Sequence, residues 1–243
     1  THKLALENSK LSWDAHYTWS KSIDQESNER STSTSFLFDP FNPSLSQGNA
    51  DFDIRHRVVL DATYELPFGI LVAGIFNWRS GAPYTRNIFC NCGGQGVNGL
   101  INQTGNIPVW LDSNGDVIDL TTFLNGTPKS RAQFADFLNS KGAHLDARNG
   151  FRQPGVKNLD ARVSKRFNLI RGTQLELIGE VFNVLNWKNL FVITNNQSLY
   201  TLNYNATTDR FTTITPNATF SVPSSYNTAV DPRQFQVAAK IIF

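Results

Sequence analysis

The chain ends on the run DPRQFQVAAKIIF, residues 231–243, and no other stretch restricts its fold as much. Phe235, Val237, Ala239, Ile241 and Phe243 share one side of an extended strand. Gln234, Gln236, Ala238 and Lys240 share the other, and Ile242 is out of pattern. Side chains alternate across a strand, so this ribbon has one oily face and one wet face. A long strand of this kind, closing the chain on an aromatic residue, suits a wall between acyl chains and water better than a soluble core.

The same period-two pattern marks six earlier segments. The first, residues 2–7, is short. In residues 11–20, Leu11, Trp13, Ala15, Tyr17 and Trp19 oppose Ser12, Asp14, His16, Thr18 and Ser20. In residues 55–66, Val58, Leu60, Ala62, Tyr64 and Leu66 oppose Arg57, Asp61, Thr63 and Glu65, with Val59 among the polar set. In residues 70–80, Val72, Gly74, Phe76 and Trp78 alternate with Ala73, Ile75, Asn77 and Arg79. In residues 158–167, Leu159, Ala161, Val163 and Phe167 oppose Asp160, Arg162, Ser164 and Arg166. Lys165 is a charge on the apolar face, placed where its stem can snorkel. In residues 174–186, Leu175, Leu177, Gly179 and Val181 oppose Glu176, Ile178, Glu180 and Phe182. Most of these segments run to roughly 10–13 residues, against about 9–11 needed for a tilted transmembrane strand and about 5–6 in a usual soluble one. The expected fold is all-β: an antiparallel up-and-down transmembrane β-barrel, here a partial barrel of about seven strands.

The connections alternate in length. Residues 8–10, 67–69 and 168–173 are tight turns, whereas 22–52, 81–157 and 187–230 are long and rich in Ser, Thr, Asn and Gly. Short periplasmic turns and long extracellular loops are the barrel pattern, and one sense of threading satisfies all six connections. Trp13, Tyr17, Trp19, Tyr64, Trp78 and Phe167 are the expected membrane-facing aromatic belt. Asp61, Glu65, Arg79, Asp160, Arg162, Arg166, Glu176 and Glu180 are the expected lumen-facing charges, joined on the same register by Asp14, Arg57 and Lys240. Within the loops, residues 109–120 read as a hairpin around an Asn-Gly turn. Residues 130–141 read as a short helix with Phe134, Phe137 and Leu138 on one face. Residues 199–215 read as a second hairpin.

Other chemistry is thin. A net charge of +2 without a basic block argues against a nucleic-acid partner. No run of about 18 apolar residues exists to make a transmembrane helix. Met is absent, which leads to the expectation that the chain starts inside a longer gene product or was trimmed. Gly94, Gly96 and Gly99 fit G-x-G-x-x-G, but Gly105 and Pro108 deny the helix that a dinucleotide site needs. Asp112, Asn114 and Asp116 lack the distal Glu of a calcium loop. His2, His16, His56 and His144 have no metal spacing, and Cys90 and Cys92 make two loop thiols or one local bridge. No catalytic residue, metal or cofactor is expected, and the chain is not expected to be an enzyme.

Several stretches resemble the carboxy-terminal barrel of TonB-dependent outer-membrane receptors, in the subfamily with a carboxypeptidase-regulatory-like domain. They are DFDIRHRVVL (51–60), YELPFG (64–69), WRSGAPYT (78–85), YTWSKS (17–22) and EVFNVLN (180–186). The last is similar to the family's N-L-F-D-like motif, with Asn186 in place of Asp. Such receptors have 22-stranded barrels filled by a plug. About seven strands and no plug sequence lead to the expectation that residues 1–243 are the last third of one. The resemblance implies a multi-pass protein of the Gram-negative outer membrane. It implies active uptake of a scarce ligand powered through TonB, with a small ligand or glycan held at the outer loops. It also implies that Phe235, Val237, Ala239, Ile241 and Phe243 form the signal read by the barrel-assembly machinery. A passive porin or adhesin-like barrel and a soluble glycan-binding β-sandwich are the alternatives.

Overall fold

The computed structural model describes residues 10–25, 43–91, 105–192, 197–223 and 230–243. In chain order the main elements are β1 (Leu11–Trp19), β2 (His56–Leu66), β3 (Ile70–Arg79), β4 (Asn87–Asn91) and β5 (Gly105–Pro108). A short helix α1 (Thr121–Leu124), β6 (Lys129–Ser130) and the helix α2 (Arg131–Ser140) follow. The chain closes with β7 (Val156–Asn168), β8 (Gln174–Phe182), β9 (Ser198–Asn205), β10 (Arg210–Pro216) and β11 (Gln234–Ile242).

Six of these form one antiparallel sheet in the order β1-β2-β3-β7-β8-β11, a meander in which each strand pairs its neighbours in the sequence of long strands. Among the described residues the sheet is open, with β1 and β11 at its edges. The segment at residues 2–7 lies outside the described residues. Register keeps the two faces apart across the whole wall. Trp13, Ala62, Gly74, Ala161, Val181 and Phe235 form one lateral row, and Tyr17, Val58, Trp78 and Lys157 form another. The apolar face stays uncovered, as Tyr17 (64% exposed) and Val237 (87%) show. A β-sandwich would bury that face under a second sheet.

The two short turns within the described residues, at 67–69 and 168–173, have a common build. Phe68 and Gly69 both take positive φ (67° and 69°), as do Arg171 and Gly172 (59° and 81°). Two consecutive left-handed residues match the twist of a hairpin. Segment 174–186 is shorter as a strand than its alternation suggests. β8 stops at Phe182, because Asn183 turns to φ 50°.

The long connections carry the expected hairpins and helix, and they also pack on one another. Residues from 81–157 and 187–230 fold together into a cap with its own core. Its sheet runs β6-β10-β9-β4-β5, and β9 pairs β4 in parallel. The expected hairpin at 199–215 is β9–β10, and the expected helix is α2. Ser130 caps α2 by accepting from the Gln133 N–H (3.3 Å), and the Gln133 side chain accepts from the Ser130 N–H (2.9 Å). The expected 109–120 hairpin is a narrow tongue whose turn has Gly115 at φ 87°. Phe134 and Leu138 point into the core, and Phe137 packs at its margin. Phe134 meets Phe211 at 4.8 Å, Phe123 at 4.9 Å and Trp110 at 5.5 Å between ring centres.

This cap has an ordinary aqueous-protein core, so its stability is separable from that of the wall. Phe134→Ala should cost the cap about 3–5 kcal/mol. Limited proteolysis should then cut between residues 105 and 152, while the heat-modifiable gel mobility of the barrel is unchanged.

Candidate functional site

The polar face of the wall gathers the charges that the sequence pattern assigned to one side. The ladder places Asp61, Glu65, Arg79, Asp160, Arg162, Arg166, Glu176 and Glu180 on that face, together with Asp14, Arg57 and Lys240. Toward the short turns, opposite charges meet across β7 and β8: Arg162 lies 3.7 Å from Glu180 and Arg166 lies 3.7 Å from Glu176. Glu176 is buried, with Lys240 on its other flank. Toward the long connections, like charges meet. Asp14 stands directly opposite Asp61, and Arg57 directly opposite Arg79. Directly opposed like charges destabilise a sheet, and among the described residues none of these four forms an ion pair. Two of the large apolar residues on this face, Ile75 and Phe182, are exposed.

The DFDIRHR stretch builds a knot at the rim. Asp53 is buried just before β2. Its carboxylate accepts from the Ser22 N–H (2.9 Å), from Arg55 Nη2 (2.9 Å) and from Arg152 Nη2. Arg152 also donates to the carbonyls of Asp53 (2.7 Å) and Gly81 (3.2 Å). A second layer lies beside it. Arg148 donates to Asp24 Oδ1 (2.7 Å) and the Ser46 carbonyl (3.2 Å), and Asn149 Nδ2 donates to the Asn49 carbonyl (2.7 Å) and to Asp51 (2.6 Å). The backbones approach closely here: a Cβ on Gly81 would fall 1.7 Å from the Gln153 carbonyl oxygen. Burial alone would raise the Asp53 carboxyl, but the hydrogen bonds from Arg152, Arg55 and Ser22 outweigh it and lower it to about 2.

A second tie closes the rim around Asn183. Its N–H donates to Asp160 Oδ1 (2.9 Å), its Oδ1 accepts from the Trp187 N–H (2.9 Å), and its Nδ2 donates to the Asp231 carbonyl (3.0 Å). One buried residue, through its N–H and its side chain, thus joins β7, the end of β8 and the approach to β11. These motif residues are structural fasteners, which motif similarity alone does not reveal. The signal available in sequence was the density of Asp and Arg in residues 51–57.

On the apolar face, Trp13, Tyr17, Trp19, Tyr64, Trp78 and Phe167 all appear together, and so do Phe235, Val237, Ala239 and Ile241 on the β11 edge. Phe243 follows that strand and is 97% exposed. Tyr17 Oη bonds His56 Nδ1 at 2.8 Å, which accounts for one histidine. Asp112 spends its carboxylate on the N–H groups of Asn114 and Asp116, so it serves a turn. No group of metal-binding side chains occurs among the described residues. Cys90 is disulfide-bonded and buried in the cap; Cys92 and the Gly94–Gly96–Gly99 motif lie outside the described residues.

An open antiparallel meander of long strands, apolar on one face and charged on the other, has a known counterpart. The outer membrane beta barrel domain family matches residues 5–236. The chain belongs to this family. No curated protein and no solved structure matches it. As an outer membrane beta barrel domain, the chain resides in the outer membrane, and its six described wall strands are part of an incomplete barrel.

The barrel's rim should respond to acid through Asp53. A carboxyl held at about 2 when folded, against 3.8 ordinarily, stabilises the fold above pH 4 and loses that contribution as pH falls toward 2. The loss is about 2 kcal/mol. Pepsin cleavage near residues 43–55 and 146–153, normalised to an unstructured peptide, should rise steeply between pH 4 and pH 2. In Asp53→Asn, which strands two guanidinium groups, cleavage should already be high at pH 4 and nearly flat below it.

Proposed function

We propose that this chain is wall and outer cap of an active importer of the TonB-dependent kind, in which a plugged barrel takes up a scarce ligand. The observation that carries the reading is the pair of like-charged contacts, Asp14 with Asp61 and Arg57 with Arg79, on a face that also exposes Ile75 and Phe182. A wall that faced only water would favour alternating signs, as β7 and β8 have. Blocks of one sign with apolar residues between them match a second body of complementary charge inside the barrel. The motifs of residues 51–60, 78–85 and 180–186 support the same reading, since they build the rim fasteners.

In this reading the polar face lines the lumen and the apolar face meets outer-membrane lipid. The cap holds a small ligand or glycan on the outside, and β11 with Phe243 is the strand that the assembly machinery reads. TonB supplies energy from the Gram-negative inner membrane. Every assigned role is binding, positioning or gating, and none is catalytic.

Planar bilayers distinguish this from a passive barrel. The full-length protein should be electrically silent, and molar urea should open a large conductance reversibly by unfolding the plug first. A steady ohmic conductance without urea would establish a passive pore instead.

A further inference from the structure

The apolar face of the wall carries two charged residues, and both are cations. Across all six strands the register puts Lys157 and Lys165 on this face, with no Asp, Glu or Arg. Both lie on β7, eight residues apart, and Leu159, Ala161 and Val163 separate them on the same side. Neither forms an ion pair among the described residues. Each ammonium instead lies over a ring: Lys157 Nζ is 4.7 Å from the centre of Trp187, and Lys165 Nζ is 5.0 Å from that of Phe167.

The spacing has a physical meaning. Eight residues of strand span about 26 Å. Tilted by about 40°, they cover about 20 Å along the membrane normal, slightly less than the apolar band of about 25 Å. Each lysine therefore starts just inside the band, and its four-carbon stem carries the ammonium out to the headgroups. The surroundings agree. Lys157 shares its row with Trp78 and Tyr17, and Trp187 packs edge-on against Phe76 (6.1 Å). Lys165 lies toward the short turns, where Phe68 and Ile170 are exposed. An amphipathic Trp ring beside Lys157 marks headgroup depth, and the exposed turn beside Lys165 marks the other end.

We propose that Lys157 and Lys165 each bind the phosphate of an anionic lipid headgroup, one in each leaflet, and so fix the height of the wall in the membrane. The aromatic rings orient the ammonium groups, and with no carboxylate on this face of the six described strands the lipid phosphate is their counter-ion. The proposal rests on the reading that the apolar face meets lipid.

The test uses the full-length protein in phosphatidylcholine vesicles with spin-labelled phosphatidylglycerol or spin-labelled phosphatidylcholine as the probe. The wild type should hold phosphatidylglycerol about fivefold more strongly in its annulus. Lys157→Gln and Lys165→Gln should each lower that preference, the double variant should abolish it, and Lys157→Arg with Lys165→Arg should keep it. An undiminished preference in the double Gln variant overturns the proposal. Loss of preference on adding inorganic phosphate at constant ionic strength also overturns it, in favour of a soluble-anion site. A bimane on Val163→Cys separates the two layers of the argument. Quenching by brominated acyl chains with no lysine effect refutes only the headgroup sites, whereas no quenching refutes the lipid-facing reading beneath them.

Discussion

Everything in the wall depends on register. Side chains alternate with a period of two, so a slip of one residue between neighbouring strands would exchange its two faces. Six strands hold a common register from β1 to β11. That is why Arg162 finds Glu180 and why Val163, its sequence neighbour, points the other way. In hydrocarbon no water can satisfy a loose backbone amide, so ladder pairing and face separation are one requirement.

The molecule obeys two opposite burial rules. In the cap, Phe134 and Phe211 are fully buried, as in any protein folded in water. In the wall, Phe235 and Val237 are among the most exposed residues. The Asp53 knot and the Asn183 tie sit where the two regimes meet. There a charged aspartate is buried because two arginines and a backbone N–H satisfy it, and the same bonds hold both chain segments against the wall.

The wall strands were legible because a two-residue period is a local signal. Trp13, Tyr17, Asp61 and Arg162 could each be assigned a face from their near neighbours alone. The α2 helix was legible for the same reason, from the spacing of Phe134, Phe137 and Leu138. The cap as a unit was not. Ser198 pairs with Asn87 across more than a hundred residues, and parallel partners leave no periodic trace. Nor was the role of Asp53 legible, since its partner Arg152 lies 99 residues away. Lys165 was visible as an exception on its face. Its counterpart Lys157 lay one residue before the expected strand and was missed until β7 proved to begin at Val156.

The parallel pairing of β4 with β9 couples the cap to the wall. Between those two strands in the chain lie β7 and β8, a complete wall hairpin. Pairing β4 with β9 therefore places both ends of that hairpin at the same rim of the wall. The cap thus works as a clasp, drawing together across one rim the two strands threaded between its halves.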